Sequence, residues 1–348
     1  MPLPPLPART EIDAGVRTFA SGLLLDLVSA LRQTTPGELV GLSTAQPSTI
    51  ESDLETWSQL TGHAIVAKTV DNGRTRWVLR HGAAEAESGD VRPLGERLWL
   101  YLNFDCNLQC DYCCVRSSPS APRRALGVET VRRIASEAPP SGVRTFFVTG
   151  GEPFLLPDID ELLLTLADAC PVTLLTNGML FHGSRLAALR RLPRERVTLQ
   201  ISVDSATPDL HDLHRGRGSW QRAIEGLEIA RTEGFRVRLA ATIATDVDER
   251  DYHQFLDRLA ILPDDRIVRR VALRGFATAG IALGRSDLVP EVTITAQGVY
   301  WHPVGAEDDD LLVTRDIFPL ATAFDAVRRG FDQERVHHTR LASVFRCA

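Results

Sequence analysis

The sequence predicts an α/β protein, a partial (β/α)6 barrel preceded by a small two-layer α/β domain of order β-α-β-α-β-β. Three observations carry this. Six short apolar runs alternate with helical stretches from residue 97 onward. A small, polar tract, "HGAAEAESGDVRPLGE" (His81 to Glu96), sets them apart from an earlier block. The 348 residues, with hydrophobic residues at 44%, suffice for about two domains with full cores.

In chain order, "MPLPPLPARTEID" is proline-rich and reads as a flexible tail over 1–12, without the basic, apolar and cleavage regions of a signal peptide. The small domain follows over 13–82. A strand is expected near Gly15 to Phe19 and a helix in "LLLDLVSALRQ" from its apolar spacing. "PGELVGLST" reads as turn then strand, and "TIESDLETWSQLTG" as a capped helix ending on glycine. "AIVAKTVDNGRTRWVLR" is a hairpin about Asp71-Asn72-Gly73. Residues 83–96 form the linker. The barrel occupies 97–285, with strands expected in "RLWLYLNF", "TFFVTGG", "VTLLTNG", "VTLQISVD", "RLAATIATD" and "RRVALRGF"; strands alternating with helices imply parallel pairing. Over 286–348 the pattern changes: "EVTITAQGVYWHPVG" is a hairpin turning at Gln297-Gly298, followed by an acidic loop and a helix.

Composition excludes two classes of partner. A formal charge of -6 with no basic stripe leaves no footprint for nucleic acid. No apolar run approaches the roughly 20 residues of a membrane span, so no membrane partner is expected and the location expected is cytoplasmic.

The chemistry is announced by "FDCNLQCDYCC" (Phe104 to Cys114), which holds four of the six cysteines. A disulfide framework suits small secreted chains short of core, which this is not. Cys106, Cys110 and Cys113 stand in C-x3-C-x2-C spacing on the loop after the first barrel strand, and in TIM-type barrels that end of the strands carries the chemistry. Three thiolates can hold three irons of a cubane and leave the fourth iron open, whereas a closed structural zinc site takes four ligands. Adjacent cysteines rarely reach neighbouring corners of one cluster, so Cys114 is read as a small apolar neighbour. The competing reading is a set of unrelated buried thiols.

This spacing, with Tyr112 before the last cysteine, resembles the radical S-adenosylmethionine (radical SAM) superfamily. The resemblance implies one [4Fe-4S] cluster held by Cys106, Cys110 and Cys113, SAM chelated to the open iron, and Tyr112 near the adenine. "VTGGEP" (Val148 to Pro153) closes the second strand as that family's glycine-rich motif does. By that match Gly150, Gly151, Glu152 and Pro153 belong to the SAM site, the glycines letting backbone approach SAM and Glu152 facing its ammonium. "LLTNGML", "ISVDSATPDLHDLHRGRGSWQRAIEGL" and "AATIATD" then fall in the order of the branch with molybdenum-cofactor cyclases and SPASM- or twitch-bearing peptide-modifying enzymes. There Ser202 and Asp204 match positions near SAM's ribose and carboxylate, and Arg215 orders the next loop or contacts SAM. Asn177 serves turn chemistry or a ligand contact.

The resemblance implies reductive cleavage of SAM to a 5'-deoxyadenosyl radical that abstracts hydrogen from a peptide precursor or small biosynthetic intermediate, with flavodoxin or ferredoxin as reductant. It names no catalytic acid or base. Two alternatives stay open, a sulfur-inserting radical SAM enzyme and a non-catalytic iron-sulfur adaptor. The segment after residue 285 is similar to a SPASM or twitch cap but lacks its auxiliary-cluster cysteines, having Cys347 alone. His302, His337 and His338 are read as solvated, Asp308, Asp309 and Asp310 as a solvated acidic loop, and Cys170 as core. The small domain resembles the sulfur-carrier family typified by TusA over Ile12 to Gly82. That family's persulfide cysteine would fall at about Phe19-Ala20, and no cysteine precedes Cys106, so the domain is expected to serve recognition or packing.

Overall fold

The computed structural model describes residues 7–15, 17–19, 22–47, 50–71, 73–82, 94–243 and 246–344. Half of the expected tail (residues 1–6), linker residues 83–93, Ala20 and Cys347 lie outside the described residues, as do the side chains of His337 and His338. The chain divides into two compact units, one holding residues 1–93, 286–289 and 329–348 and the other residues 94–285 and 290–328.

In the first unit the order is β1 (Thr10–Gly15), α1 (Leu23–Arg32), β2 (Leu39–Thr44), α2 (Glu51–Thr61), β3 (Ala64–Asp71) and β4 (Arg74–Arg80). The sheet runs β1-β2-β4-β3, with β1 parallel to β2 and the other pairs antiparallel. Leu23, Leu27, Val28 and Leu31 form the buried stripe of α1, as the 3.6-residue period requires. Gly62, in the left-handed region at φ 76°, ends α2. The first strand lies earlier than expected. Exposed Glu11 and Asp13 alternate with buried Ile12 and Ala14, and Gly15, at φ 57°, ends the extended run.

The second unit continues with β5 (Arg97–Tyr101), α3 (Val128–Glu137), β6 (Thr145–Thr149), α4 (Ile159–Ala169), β7 (Val172–Thr176), α5 (Gly183–Arg191) and β8 (Val197–Ser202). Then come α6 (Pro208–Arg215), α7 (Ser219–Thr232), β9 (Arg236–Ile243), α8 (Asp246–Arg258) and β10 (Arg266–Arg270). Three short strands, β11 (Thr293–Thr295), β12 (Gly298–Tyr300) and β13 (Leu312–Thr314), precede α9 (Leu320–Val344).

Strands β5 to β10 are parallel and lie in sequence order. An order without a switch point, wound with one hand, places the connecting helices on a single face. The register identifies that face. Leu100, Val148, Leu174, Leu199, Leu239 and Val268 share it and are completely buried. The opposite, inner face presents Trp99, Tyr101, Phe147, Thr149, Gln200, Ser202, Arg238, Thr242 and Arg269.

Two expectations change here. The sixth strand is "RIVRR", upstream of the expected "RRVALRGF", because Arg266 to Arg270 pair with Leu239 to Ile243 and the chain leaves the sheet after Arg270. The hairpin at Gln297-Gly298 forms, and its first strand pairs parallel with β5 (Thr293 to Trp99, Ile294 to Leu100). It therefore prolongs the main sheet at the edge beside the cysteine loop.

Candidate metal and cofactor centre

The loop after β5 carries the thiols and is held at both ends. At its start, the backbone N-H of Cys106 donates to Ser118 O at 3.2 Å. At its end, Cys113 N donates to Cys110 O and Cys113 O accepts from Phe276 N at 2.9 Å. Cys106 is buried, while Cys110 and Cys113 are half-buried. Burial pushes the Cys106 thiol well up, with the nearby Glu152 carboxylate adding to it; burial raises Cys110 to about 11 against the pull of Arg215. A bound cation reverses that preference by stabilising the thiolate. Among the described residues no three His, Cys, Asp or Glu side chains converge on a single metal ion, yet Cys106, Cys110 and Cys113 are close enough to act on one another's ionisation. Cys114 packs with Cys113 against Tyr101, Phe104, Val115 and Ala306, and burial raises its thiol to about 12.

Gly150 and Gly151 answer a need within the protein. The turn after β6 runs directly against the start of the cysteine loop: Gly151 N donates to Asn103 O and Glu152 N to Asp105 O at 3.0 Å. A Cβ on Gly150 would sit 2.1 Å from Asn103 Oδ1, and one on Gly151 2.2 Å from Asp105 O. The close approach of the cysteine loop thus requires glycine at both positions. Pro153 starts a buried 3-10 turn (Pro153–Leu155). Glu152 is fully buried and accepts from Phe154 N (3.0 Å), Thr176 Oγ1 (2.8 Å) and Asn177 N (2.8 Å). Burial raises its pKa in spite of those donors. Asn177 Nδ2 reaches back to Asn107 Oδ1 in the cysteine loop at 2.8 Å, and its own Oδ1 accepts from Met179 N. Asn177 therefore does turn chemistry and steadies the loop together. Gly151→Ala is expected to displace Asp105 and Cys106, lowering iron uptake on reconstitution and stability by about 1–3 kcal/mol. Iron analysis and urea unfolding check this.

Asp204 lies just past β8 and is 2% exposed. Its carboxylate takes Arg215 Nε (2.6 Å) and Nη2 (3.1 Å), the Tyr112 hydroxyl and Thr242 N (3.0 Å). Arg215 and these donors hold Asp204 below its ordinary range although burial opposes them. Arg215 also lies 5.5 Å from the Tyr112 ring centroid. These donors occupy Asp204's acceptor sites, and through them it ties Tyr112 to the end of α6. Asp111 reinforces the same junction through His214 at 2.9 Å. Ser202 is half-buried at the end of β8 on the inner face.

Several contributors escaped the sequence reading. Asn103 donates to Asp105 O and Glu152 O, bracing the glycine turn. Asp212 caps α7 through Gly218 N and Trp220 N. His211 Nδ1 accepts from Asp204 N at 3.0 Å, and burial lowers it to about 4. The only sequence signal for these was a polar residue at a strand end and a short H-D pair.

The C-terminal segment corrects three readings. His302 is not solvated: it caps the 3-10 turn Pro303–Gly305 through Val304 N, and burial lowers it to about 4. Asp308 and Asp310 are not a free acidic loop, since both pair with Arg274 at 2.7 and 2.8 Å. Beside them Glu307 binds Arg116 and Arg124, just beyond the cysteines. Between pH 6.5 and about 4 the unfolded chain binds protons that folded His211 and His302 refuse, so stability falls as pH falls through that window. His211→Gln is expected to flatten this slope in urea unfolding measured at several pH values.

Comparison with known proteins adds four findings. The model of the radical SAM superfamily matches residues 101–259. The antilisterial bacteriocin subtilosin biosynthesis protein AlbA of Bacillus subtilis (strain 168) is 32% identical over 166 residues, 47% of this chain and 36% of that protein. The probable GTP 3',8-cyclase of Aeropyrum pernix is 30% identical over 176 residues, 49% of this chain and 48% of that one. The chain thus spans less than half the length of these two relatives. A solved structure titled anSMEcpe with bound AdoMet matches with a TM-score of 0.52 over 72% of this chain and 84% of that one at 13% identity, a likeness of fold.

Proposed function

We propose, from the match of residues 101–259 to the model of the radical SAM superfamily, that the chain is a radical SAM enzyme abstracting hydrogen from a peptide precursor. The observation that carries this is the C-x3-C-x2-C loop, braced by the glycine turn and by the Asp204-Arg215-Tyr112 junction at the carboxyl end of the sheet. The family's cofactors are a [4Fe-4S] cluster and SAM, which when bound supply reductive cleavage of SAM to a 5'-deoxyadenosyl radical. The residues present fit them: three thiols sit together where a fourth protein ligand is not required. Cys106, Cys110 and Cys113 would hold the cluster, with Tyr112, Ser202 and the turn from Gly150 to Pro153 bordering SAM. Glu152, having accepted three hydrogen bonds, keeps a lone-pair direction for an ammonium group, while Asp204 and Arg215 position Tyr112.

In this reading the parallel sheet curves into a partial (β/α)6 TIM-type barrel with its inner face toward substrate, and residues 286–348 form a cap. Residues 13–82 form a TusA-like recognition domain. Flavodoxin or ferredoxin supplies electrons. A peptide substrate is favoured by the likeness to AlbA, whose name places it in bacteriocin biosynthesis; the likeness to a GTP 3',8-cyclase supports a small-molecule substrate as the second reading. Among the described residues no helix is long and apolar enough to cross a membrane, and we place the enzyme in the cytoplasm. The test is anaerobic reconstitution with SAM and dithionite. Formation of 5'-deoxyadenosine is expected; a protein that takes up iron and binds SAM without forming it would be the adaptor instead.

A further inference from the structure

The inner face of the sheet carries an arginine that the cofactor site does not use. Arg269 stands opposite Thr242 in the β9-β10 register, and Thr242 N in turn binds Asp204. Because the strands are parallel, this places Arg269 at the same end of the sheet as the cysteine loop. Its neighbours in charge are Cys114, Tyr101, Glu291 and Arg215. Its accessible area is high, yet desolvation still lowers its pKa.

Among the described residues Arg269 has no hydrogen-bonded or ion-paired partner. Glu291, the one carboxylate acting on it, is engaged by Trp99 Nε1 and by Arg97 at 3.6 Å. On the neighbouring strand Arg238 shares the inner face, and its Nε is buried without a partner. A second observation thus points the same way, toward an anion. Arg269 acts on the charge of Arg238, as does the Asp265 carboxylate, and two guanidinium groups on one face of the sheet favour an anion there.

We infer that Arg269, reinforced by Arg238, forms a carboxylate-binding subsite for the substrate on the inner face of the sheet, beside the cysteine loop. The planar fork of Arg269 suits bidentate contact with a carboxylate. The substrate class is therefore an acid: a peptide offering an Asp, Glu or terminal carboxylate, or a small carboxylic acid. This rests on the proposed hydrogen-abstracting function, because it names the substrate of that same site. The methionyl carboxylate of SAM has the same chemistry and is the competing source.

The reconstituted full-length protein is titrated calorimetrically with glutarate, and with glutaramide as its uncharged counterpart. Glutarate is expected to bind and glutaramide not to. Arg269→Gln is expected to weaken glutarate by about tenfold or more while leaving the SAM dissociation constant in place. Arg269→Lys, which keeps the charge without the fork, should fall between them and guards against a folding defect in the first variant. Equal binding of glutarate by wild type and Arg269→Gln, or no binding by wild type, would overturn the subsite. Loss of SAM affinity in Arg269→Gln with glutarate unaffected would assign the arginine to SAM and overturn it as well. The two readings fail separately: wild type that binds glutarate through Arg269 but forms no 5'-deoxyadenosine contradicts the hydrogen-abstracting function alone.

Discussion

Replacing Cys106, Cys110 or Cys113 by alanine is expected to abolish both iron retention and SAM cleavage. Two thiolates leave a cubane under-ligated, and reconstituted iron should fall from about four per chain to near zero. Cys114 faces Tyr101, Phe104, Val115 and Ala306, so Cys114→Ala should keep its iron and its brown absorption. Iron analysis and the visible spectrum of the four variants decide it. A Cys114 variant that bleaches while a triad variant stays brown would reverse the assignment.

The second large effect lies at Arg215. Arg215→Ala leaves the Asp204 carboxylate, 2% exposed, without its bidentate partner, and breaking a buried pair in this way costs about 3–5 kcal/mol. Tyr112 loses its anchor along with it, so iron uptake should fall too. Arg215→Lys keeps the charge but not the fork and should recover part of the loss. A pH series gives an independent sign. Folded Asp204 has a lowered pKa, so its contribution is complete above the ordinary carboxylate value. It declines as pH falls from there through the folded value, where the unfolded chain binds the proton first. If Arg215 served only to contact SAM, Arg215→Ala would weaken SAM binding and leave the urea midpoint unchanged.

Much of this centre was legible in one dimension. The thiols fall in C-x3-C-x2-C spacing, and "VTGGEP" follows one β/α unit later. Both are local patterns, since a loop of nine residues brings its own thiols together and a turn selects its own glycines. The apolar runs that became β5 to β9 were equally plain, because a strand buried on its helix-facing side needs Leu, Val, Ile or Phe at alternate positions. Asp204 and Arg215 were singled out by their motifs, but their pairing with each other was not legible there.

The remainder depended on residues far apart in the chain. Asp308 and Asp310 read as solvated because nothing near them in sequence neutralises them; their partner, Arg274, lies 34 and 36 residues away. Arg116 and Glu307 are 191 residues apart. The sixth strand was misplaced by a few residues because "RIVRR" and "RRVALRGF" have comparable apolar alternation, and only pairing with β9 selects between them. Periodicity records which positions turn inward. It cannot record what they meet there, because the partner of a buried charge, the backbone against a glycine and the edge that receives a hairpin are chosen by long-range packing, where the cost of leaving a polar group unpaired is greatest.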